Sequence, residues 1–424
     1  MTENAQGDVI LDHSQLSSGT EGSGLGCNIT VNAGRNLQMV NSSKIKTNSA
    51  PDKFSLSQGG DAGNISLQAK EIQINTVSAI NSSTSSSGRA GNIDVQADNV
   101  SLNKGYIGSL SQGANSSGNT GTINITANNR VDLTDSTIGN FSEADLTEAA
   151  AKAIKPGVIN LTAQQINFDN GTVSADANGN NGIASDVVLN ARDINLSNNS
   201  GIGSLAKGNS NGGNVFMTAH DIHFNHSIIL TDAKGTGAAG KVNISFAHWL
   251  TLDHSYLSTI AKSGNGGAIT LQGGELFSLR NSAITTTVEG GLGNGGNINV
   301  TADILLMDTG ILEANAASGN GGDINLNLKG LIPSGDSLIL GGANIWNDTA
   351  PTLNIIQAVS ESGINGVTKI TAPQLNLSGV LSNLGAPLFD SSVLSPDYCN
   401  LGAGSTLSRK GRGGLLPKGS DLSF

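Results

Sequence analysis

Cysteine is nearly absent from this chain. Two residues in 424, Cys27 and Cys399, are too few for a disulfide-stapled scaffold. Aromatic residues make up only 3%, which excludes a core anchored on large rings and fits a narrow interior of Ile, Leu, Val and Ala columns. Positive charge is also short. Against 33 Asp and Glu stand 22 Lys and Arg, a formal charge of −11, so neither nucleic acid nor an anionic membrane is an expected partner. No apolar run approaches the roughly 20 residues of a membrane-spanning helix, and membrane insertion is not expected. The first residues, Met1-Thr2-Glu3-Asn4-Ala5-Gln6, carry neither the basic nor the apolar region of a signal peptide.

Glycine, in contrast, is abundant at 57 residues of 424, nearly twice the usual share. Much of it belongs to a phrase of the form Gly-Asn-Ile-x-Leu-x-Ala that returns every 26 to 30 residues through most of the chain. It reads Gly63-Asn64-Ile65-Ser66-Leu67-Gln68-Ala69, then Gly91-Asn92-Ile93-Asp94-Val95-Gln96-Ala97, with further copies at Gly121, Gly157, Gly213, Gly240, Gly267, Gly296 and Gly322. Self-similarity at such a period marks a solenoid, propeller or array. Within a unit the apolar residues alternate with polar ones, the period of a strand. One unit runs Ile93, Val95, Ala97, a polar corner, Val100, Leu102, a second corner, then Ile107. Three short strands buried on one face are unstable alone, so the units must stack. A propeller blade needs about 40 residues, and a leucine-rich repeat needs a helical arc for which there is no room. The expected fold is all-β: a right-handed parallel β-helix, a three-sided solenoid of about eleven to twelve coils of 26 to 30 residues.

The solenoid is expected over residues 1–380, with a tail at 381–424. Val9-Ile10-Leu11-Asp12-His13-Ser14-Gln15-Leu16 matches the middle of a later coil, Leu250-Thr251-Leu252-Asp253-His254-Ser255-Tyr256-Leu257. The chain is therefore expected to begin mid-coil, without the cap that terminal repeats usually carry, as a piece of a longer protein. Two coils carry insertions. Near 141–156 an Ala/Glu-rich stretch, with Ser142 and Asp145 spaced like a capping box and Pro156 as a stop, predicts a short helix. Near 330–363, Pro333, Pro351 and apolar residues such as Leu338, Ile345 and Trp346 predict an irregular coil covering an open strand edge. A last coil follows from Gly363 to Pro373.

The coil phrase, linkers such as Ser318-Gly319-Asn320-Gly321-Gly322, and the ending resemble the filamentous-haemagglutinin-like large exoproteins of Gram-negative bacteria and cyanobacteria. In the ending, Ser391-Ser392-Val393-Leu394-Ser395-Pro396-Asp397-Tyr398-Cys399 is followed by Gly411-Arg412-Gly413-Gly414-Leu415-Leu416-Pro417. The likeness covers residues 9 to 418. It implies passenger proteins of two-partner secretion, exported through an outer-membrane transporter to the cell surface or medium. There they act in adhesion, haemagglutination or biofilm, binding a glycan or protein on a host or neighbouring cell. Such export needs a signal peptide and a secretion domain with Asn-Pro-Asn-Gly-type motifs, and this sequence contains neither. An upstream portion or a broken reading frame is the expected reason. Two other functions compete: the stalk of a contact-dependent toxin, and a β-helix polysaccharide-active enzyme.

Few constellations could carry chemistry, and no catalysis or cofactor is expected. Among the six histidines, His220 and His248 are 28 apart, as are His226 and His254, so each pair should stack about 4.8 Å apart on adjacent coils. With His223 nearby, a zinc or haem-iron site can be drawn. The columns argue against it: Asp98, Asn128, Gln164 and Arg192 share the first column and Asn281 the second, as at exposed polar corners. Asp94, Asp132, Asp169 and Asp193 occupy different positions in their coils, so no catalytic carboxylate pair is expected. Gly319-Asn320-Gly321-Gly322-Asp323 lacks the nine-residue spacing of calcium-binding repeats. Arg409, Lys410 and Arg412 form a solvated basic cluster, with contact to the secretion partner as the functional alternative. The Asn64, Asn92, Asn214 and Asn297 column is expected to hydrogen-bond amide to amide along the axis. Ile125 is expected inside and Asn128 at a tolerant corner. Cys27 and Cys399, about ten coils apart, are expected to stay free thiols.

Overall fold

Alternation of apolar and polar residues gives strands whose apolar side chains share one face. Along Ile93–Asn103 the buried residues are Ile93, Val95, Ala97, Val100 and Leu102, with the polar residues between them turned outward. Each coil lays its strands beside those of the next in strict register, as in Ile65, Ile93, Ile123 and Ile159. The computed structural model describes residues 1–52, 59–113, 116–341 and 353–372, and every strand pairing among them is parallel. The result is a parallel β-helix of about twelve coils.

Its strands form two sheets, one of 19 strands and one of 13. The first two strands of each coil belong to the larger sheet and the third to the smaller one. The corner expected after Ala97 is weaker than the sequence suggests. In Ile93–Asn103, Ile123–Thr134, Val215–Asn225, Val242–Asp253 and Ile298–Asp308 the first two strands run on as one. The register slips between Ala97 and Asn99 and between Ala219 and Asp221. An extra residue in a bulge bends the strand without ending it.

The interior is filled in single file by Ile, Leu and Val, with Phe168 and Phe277 the largest fully buried side chains. It also holds hydroxyls that the apolar pattern did not reveal. Buried Thr47, Thr231 and Thr259 donate to the carbonyls of Gly63, Gly240 and Gly267 at 2.6, 2.7 and 2.7 Å. Each satisfies a buried carbonyl of the glycine-rich turn, which at Gly63 also receives the Ser82 hydroxyl at 3.4 Å.

The insertions differ from expectation in detail. The step from Ile123 to Ile159 is 36 residues, as the insertion requires, but Ile29 to Ile65 is also 36, an extra length that was not expected. The helix near 141–156 is a single turn, Glu148–Ala151, capped by Thr147 and not by a Ser142/Asp145 box. Both expected caps are otherwise engaged: Ser142 ends the strand Thr137–Ser142, and Asp145 accepts from the backbone and side chain of Asn180 on the next coil at 2.9 and 3.0 Å.

At the far end, Asn354–Gln357 sits between Ile311–Ala316 and Leu338–Leu340, so the outermost strand of the smaller sheet precedes its inner neighbour in sequence. Thr368–Thr371 pairs with Ile324–Asn327 and starts a further coil. At the near end the mid-coil start is corrected. Thr2–Ala5 lies in register with Thr30–Ala33 and supplies the first strand despite lacking the Ile-x-Val pattern. Ile345, Trp346, Pro351, Cys399, Arg409, Lys410, Arg412 and the whole 381–424 tail lie outside the described residues.

Candidate functional site

The corner after the second strand requires left-handed backbone, with φ of 47° at Asp135, 53° at Asn170 and 45° at Asn281. His226 and His254 occupy that corner at 49° and 47°, and Asn, Asp and His tolerate this region better than most residues. Backbone conformation thus accounts for this pair. Their rings stack at 4.7 Å and 2°, and each Nδ1 turns to its preceding residue, Asn225 at 2.5 Å and Asp253 at 2.8 Å. Asp253 is also gripped by Arg280 of the next coil. Burial pushes its carboxyl up, but the hydrogen bonds from Arg280 and His254 outweigh this and hold it below the usual range.

His220 and His248 behave differently. Their ring centroids are 3.9 Å apart at an interplanar angle of 59°, so the rings converge and do not stack flat. Asp221 lies at the same place, beside the register slip where Ala219–Asp221 faces the one-residue-longer stretch Phe246–Trp249: His220 Nδ1 lies 3.4 Å from Asp221 Oδ2, and His248 Nδ1 lies 3.9 Å from Asp221 Oδ1. One donor atom from each of the three lies within 4.8 Å of the others. Asp221 Oδ1 is buried and accepts no hydrogen bond among the described residues. Asp221 was not among the residues that spacing along the chain singled out. The signal was an acid directly after a column histidine, with a histidine one coil on. His223, drawn into that site from sequence, is not part of it; its Nδ1 lies 2.8 Å from Thr251 Oγ1.

The acids singled out from sequence are tied into polar rows. Asp94 accepts from Asn124 at 2.7 Å, Asp132 from Asn167 at 2.8 Å, and Asp169 from Asn198 at 2.7 Å. Asp193 stands in register with Asp221. In the glycine-rich turn, Asp323 Oδ1 accepts the Val367 N–H at 2.8 Å. The polar corner column expected from sequence is polar here too: the Asn128 amide donates to Asp98 at 2.7 Å, and that contact is exposed.

The Asn64 column also departs from expectation. Its amide oxygens accept backbone N–H groups: the Asn92 N–H donates to Asn64 Oδ1 at 2.7 Å and the Thr122 N–H to Asn92 Oδ1 at 2.9 Å. Amide-to-amide bonds occur elsewhere, as from Asn160 to Asn124 at 2.7 Å.

A further groove crosses three coils of the smaller sheet, where Asp176, Leu205 and Asp232 follow in register beside Lys234. Burial pushes the Asp176 carboxyl up, against hydrogen bonds from Ser174 and the Leu205 N–H. Asp232 lies 3.5 Å from Lys234 Nζ. Comparison with protein-family models, curated proteins and solved structures finds no match for the chain. Among the described residues no helix is long and apolar enough to cross a membrane.

Proposed function

We propose that the chain is a non-catalytic surface β-helix of adhesin type, part of an exoprotein that attaches to a glycan or protein on a host or neighbouring cell and is exported by an outer-membrane two-partner-secretion transporter. The observation that carries this reading is the ordering of the outward polar groups. Asp94, Asn124 and Asn160 are joined by bonds of 2.7 and 2.7 Å, and Asp132, Asn167 and Asn195 by bonds of 2.8 and 2.9 Å. Side chains held this way lose little freedom on binding, and they repeat one coil apart, about 4.8 Å. A ligand engaged at many weak points gains from such repetition. Erythrocyte agglutination and a glycan array, probed with the purified chain, test it. Saturable binding that survives washing supports adhesion; no binding to any cell or glycan sinks it.

A polysaccharide-active enzyme is the second reading, favoured by the Asp176–Asp232 groove. Two coils separate these carboxylates, about 9.6 Å along the axis, just beyond the roughly 6.5–9.5 Å of inverting glycosidases. Asp176, pushed toward the protonated form, would be the acid, and Asp232 beside Lys234 the base. Reducing ends released from acidic polysaccharides, and lost in Asp232→Asn, would favour this reading over adhesion.

A further inference from the structure

The cluster of His220, Asp221 and His248 needs an explanation that a surface corner does not supply. A corner histidine has one partner and faces water, as His226 and His254 do. Here two imidazoles from successive coils tilt toward one carboxylate, and one oxygen of that carboxylate is buried without a hydrogen bond. An uncompensated buried carboxylate oxygen is costly. It can be stabilised by a cation that the neighbouring side chains also coordinate.

The distances suit such an ion. Bonds of about 2.0–2.1 Å in a tetrahedral shell put ligand atoms roughly 3.4 Å apart. His220 Nδ1 lies 3.4 Å from Asp221 Oδ2 and His248 Nδ1 3.9 Å from Asp221 Oδ1, and with one donor atom taken from each residue no pair is more than 4.8 Å apart. The histidine side chains are 41% and 45% exposed, which leaves their rings room to turn toward a shared ion. That exposure leaves an outer position for water or an incoming ligand. Around the cluster, Asp193 stands in register with Asp221 one coil before, and the Glu275 N–H bonds the His248 carbonyl one coil after. Arg192, one coil before, accepts the His220 N–H with its carbonyl.

We propose that His220, Asp221 and His248 form a binding site for a divalent transition-metal ion of the zinc class. Two imidazoles and one carboxylate match the ligand preference of zinc. Calcium asks for six to eight oxygens, and magnesium for an octahedral oxygen shell. The site is independent of whether the solenoid is an adhesin or an enzyme. Its open position makes it an attachment point for a metal-bound ligand on the outer surface.

The test is calorimetric titration of the tag-free full chain with zinc at neutral pH, with the visible spectrum of the cobalt-substituted protein as a second readout. The expected result is one zinc per chain and the intense absorption of low-coordinate cobalt. Loss of an outer-shell partner typically weakens a metal site ten- to a hundredfold, so loss of a direct ligand in His248→Gln or Asp221→Asn should cost about tenfold or more. His226→Gln should bind as the parent does. Far-UV dichroism verifies that each variant is folded, which these outward-facing positions favour. Absence of saturable binding, unchanged affinity in both His248→Gln and Asp221→Asn, or an equal loss in His226→Gln overturns the proposal.

Discussion

Gly121 stands directly over Gly91: a Cβ on Gly121 would lie 2.0 Å from the Gly91 carbonyl oxygen. The same approach recurs for Gly91 over Gly63 and for Gly63 over Cys27, again at 2.0 Å. Glycine recurs at most coils of this column because the backbones approach too closely for a side chain there; Ser185, which stands below Gly213, is an exception. Cys27 is the first member of this column in the chain, and its side chain is exposed.

Gly121→Ala should therefore destabilise the protein by roughly 3 kcal/mol, the upper end of overpacking effects, since backbone and not a flexible side chain must yield. Urea unfolding followed by dichroism measures it. An unchanged midpoint would show that the coils separate more easily than their contacts imply.

Ile125 is 1% exposed, and Ile125→Asp should cost about 4 kcal/mol or more by burying an unpaired charge. Asn128→Asp is less innocent than a corner position suggests. The Asn128 amide donates to Asp98 at 2.7 Å, so a carboxylate there faces another carboxylate. A cost of about 0.5–1 kcal/mol that shrinks in high salt is expected. Parallel melts at low and high ionic strength separate this from a packing effect.

Glu313 is buried, and that burial raises its carboxyl above the ordinary value of 4.5, against hydrogen bonds from Gln357 and Asn315. An acid whose folded pKa is raised contributes most stability below its unfolded pKa. That contribution is lost as pH rises through the folded value. Glu313→Gln keeps an oxygen to accept both amide donors and removes the buried charge. It should be more stable than the parent at about pH 8 and equal to it near pH 4. A variant less stable at both values would show that the carboxylate is needed.

Asp253 works in the opposite direction. Its lowered carboxyl pKa means the contact with Arg280 and His254 stabilises the fold above the unfolded value of 3.8 and is lost as pH falls. Arg280→Ala should raise the Asp253 titration midpoint in carboxyl NMR. Because the pair is partly exposed, the stability loss at neutral pH should be only about 0.5 kcal/mol. An unmoved midpoint would mean that the pair does not persist in solution.

The coil architecture was legible because each unit repeats one rule, Ile or Val alternating with polar residues, so Ile93, Ile123 and Ile159 announce their own stacking. The continuity of Ile93–Asn103 as one strand was not, because a polar corner and a continuous strand beside a register slip share the same alternation. The short helix was overextended because Ser142 and Asp145 fit a capping pattern while being committed to contacts across coils, which no local reading contains. The histidine columns were visible at their 28-residue spacing. The place of Asp221 between His220 and His248 was not, since it lies beside a register slip that spacing along the chain does not show.

The strand Leu338–Leu340 cannot find its place when it is made, because its partner Asn354–Gln357 comes later in the chain and must first settle against Ile311–Ala316. Every earlier coil can be laid on a finished one as the polypeptide lengthens. Here growth from one end gives way to a step that waits: a chain cut after Leu340 would carry a complete row of earlier coils and three residues with nowhere to dock.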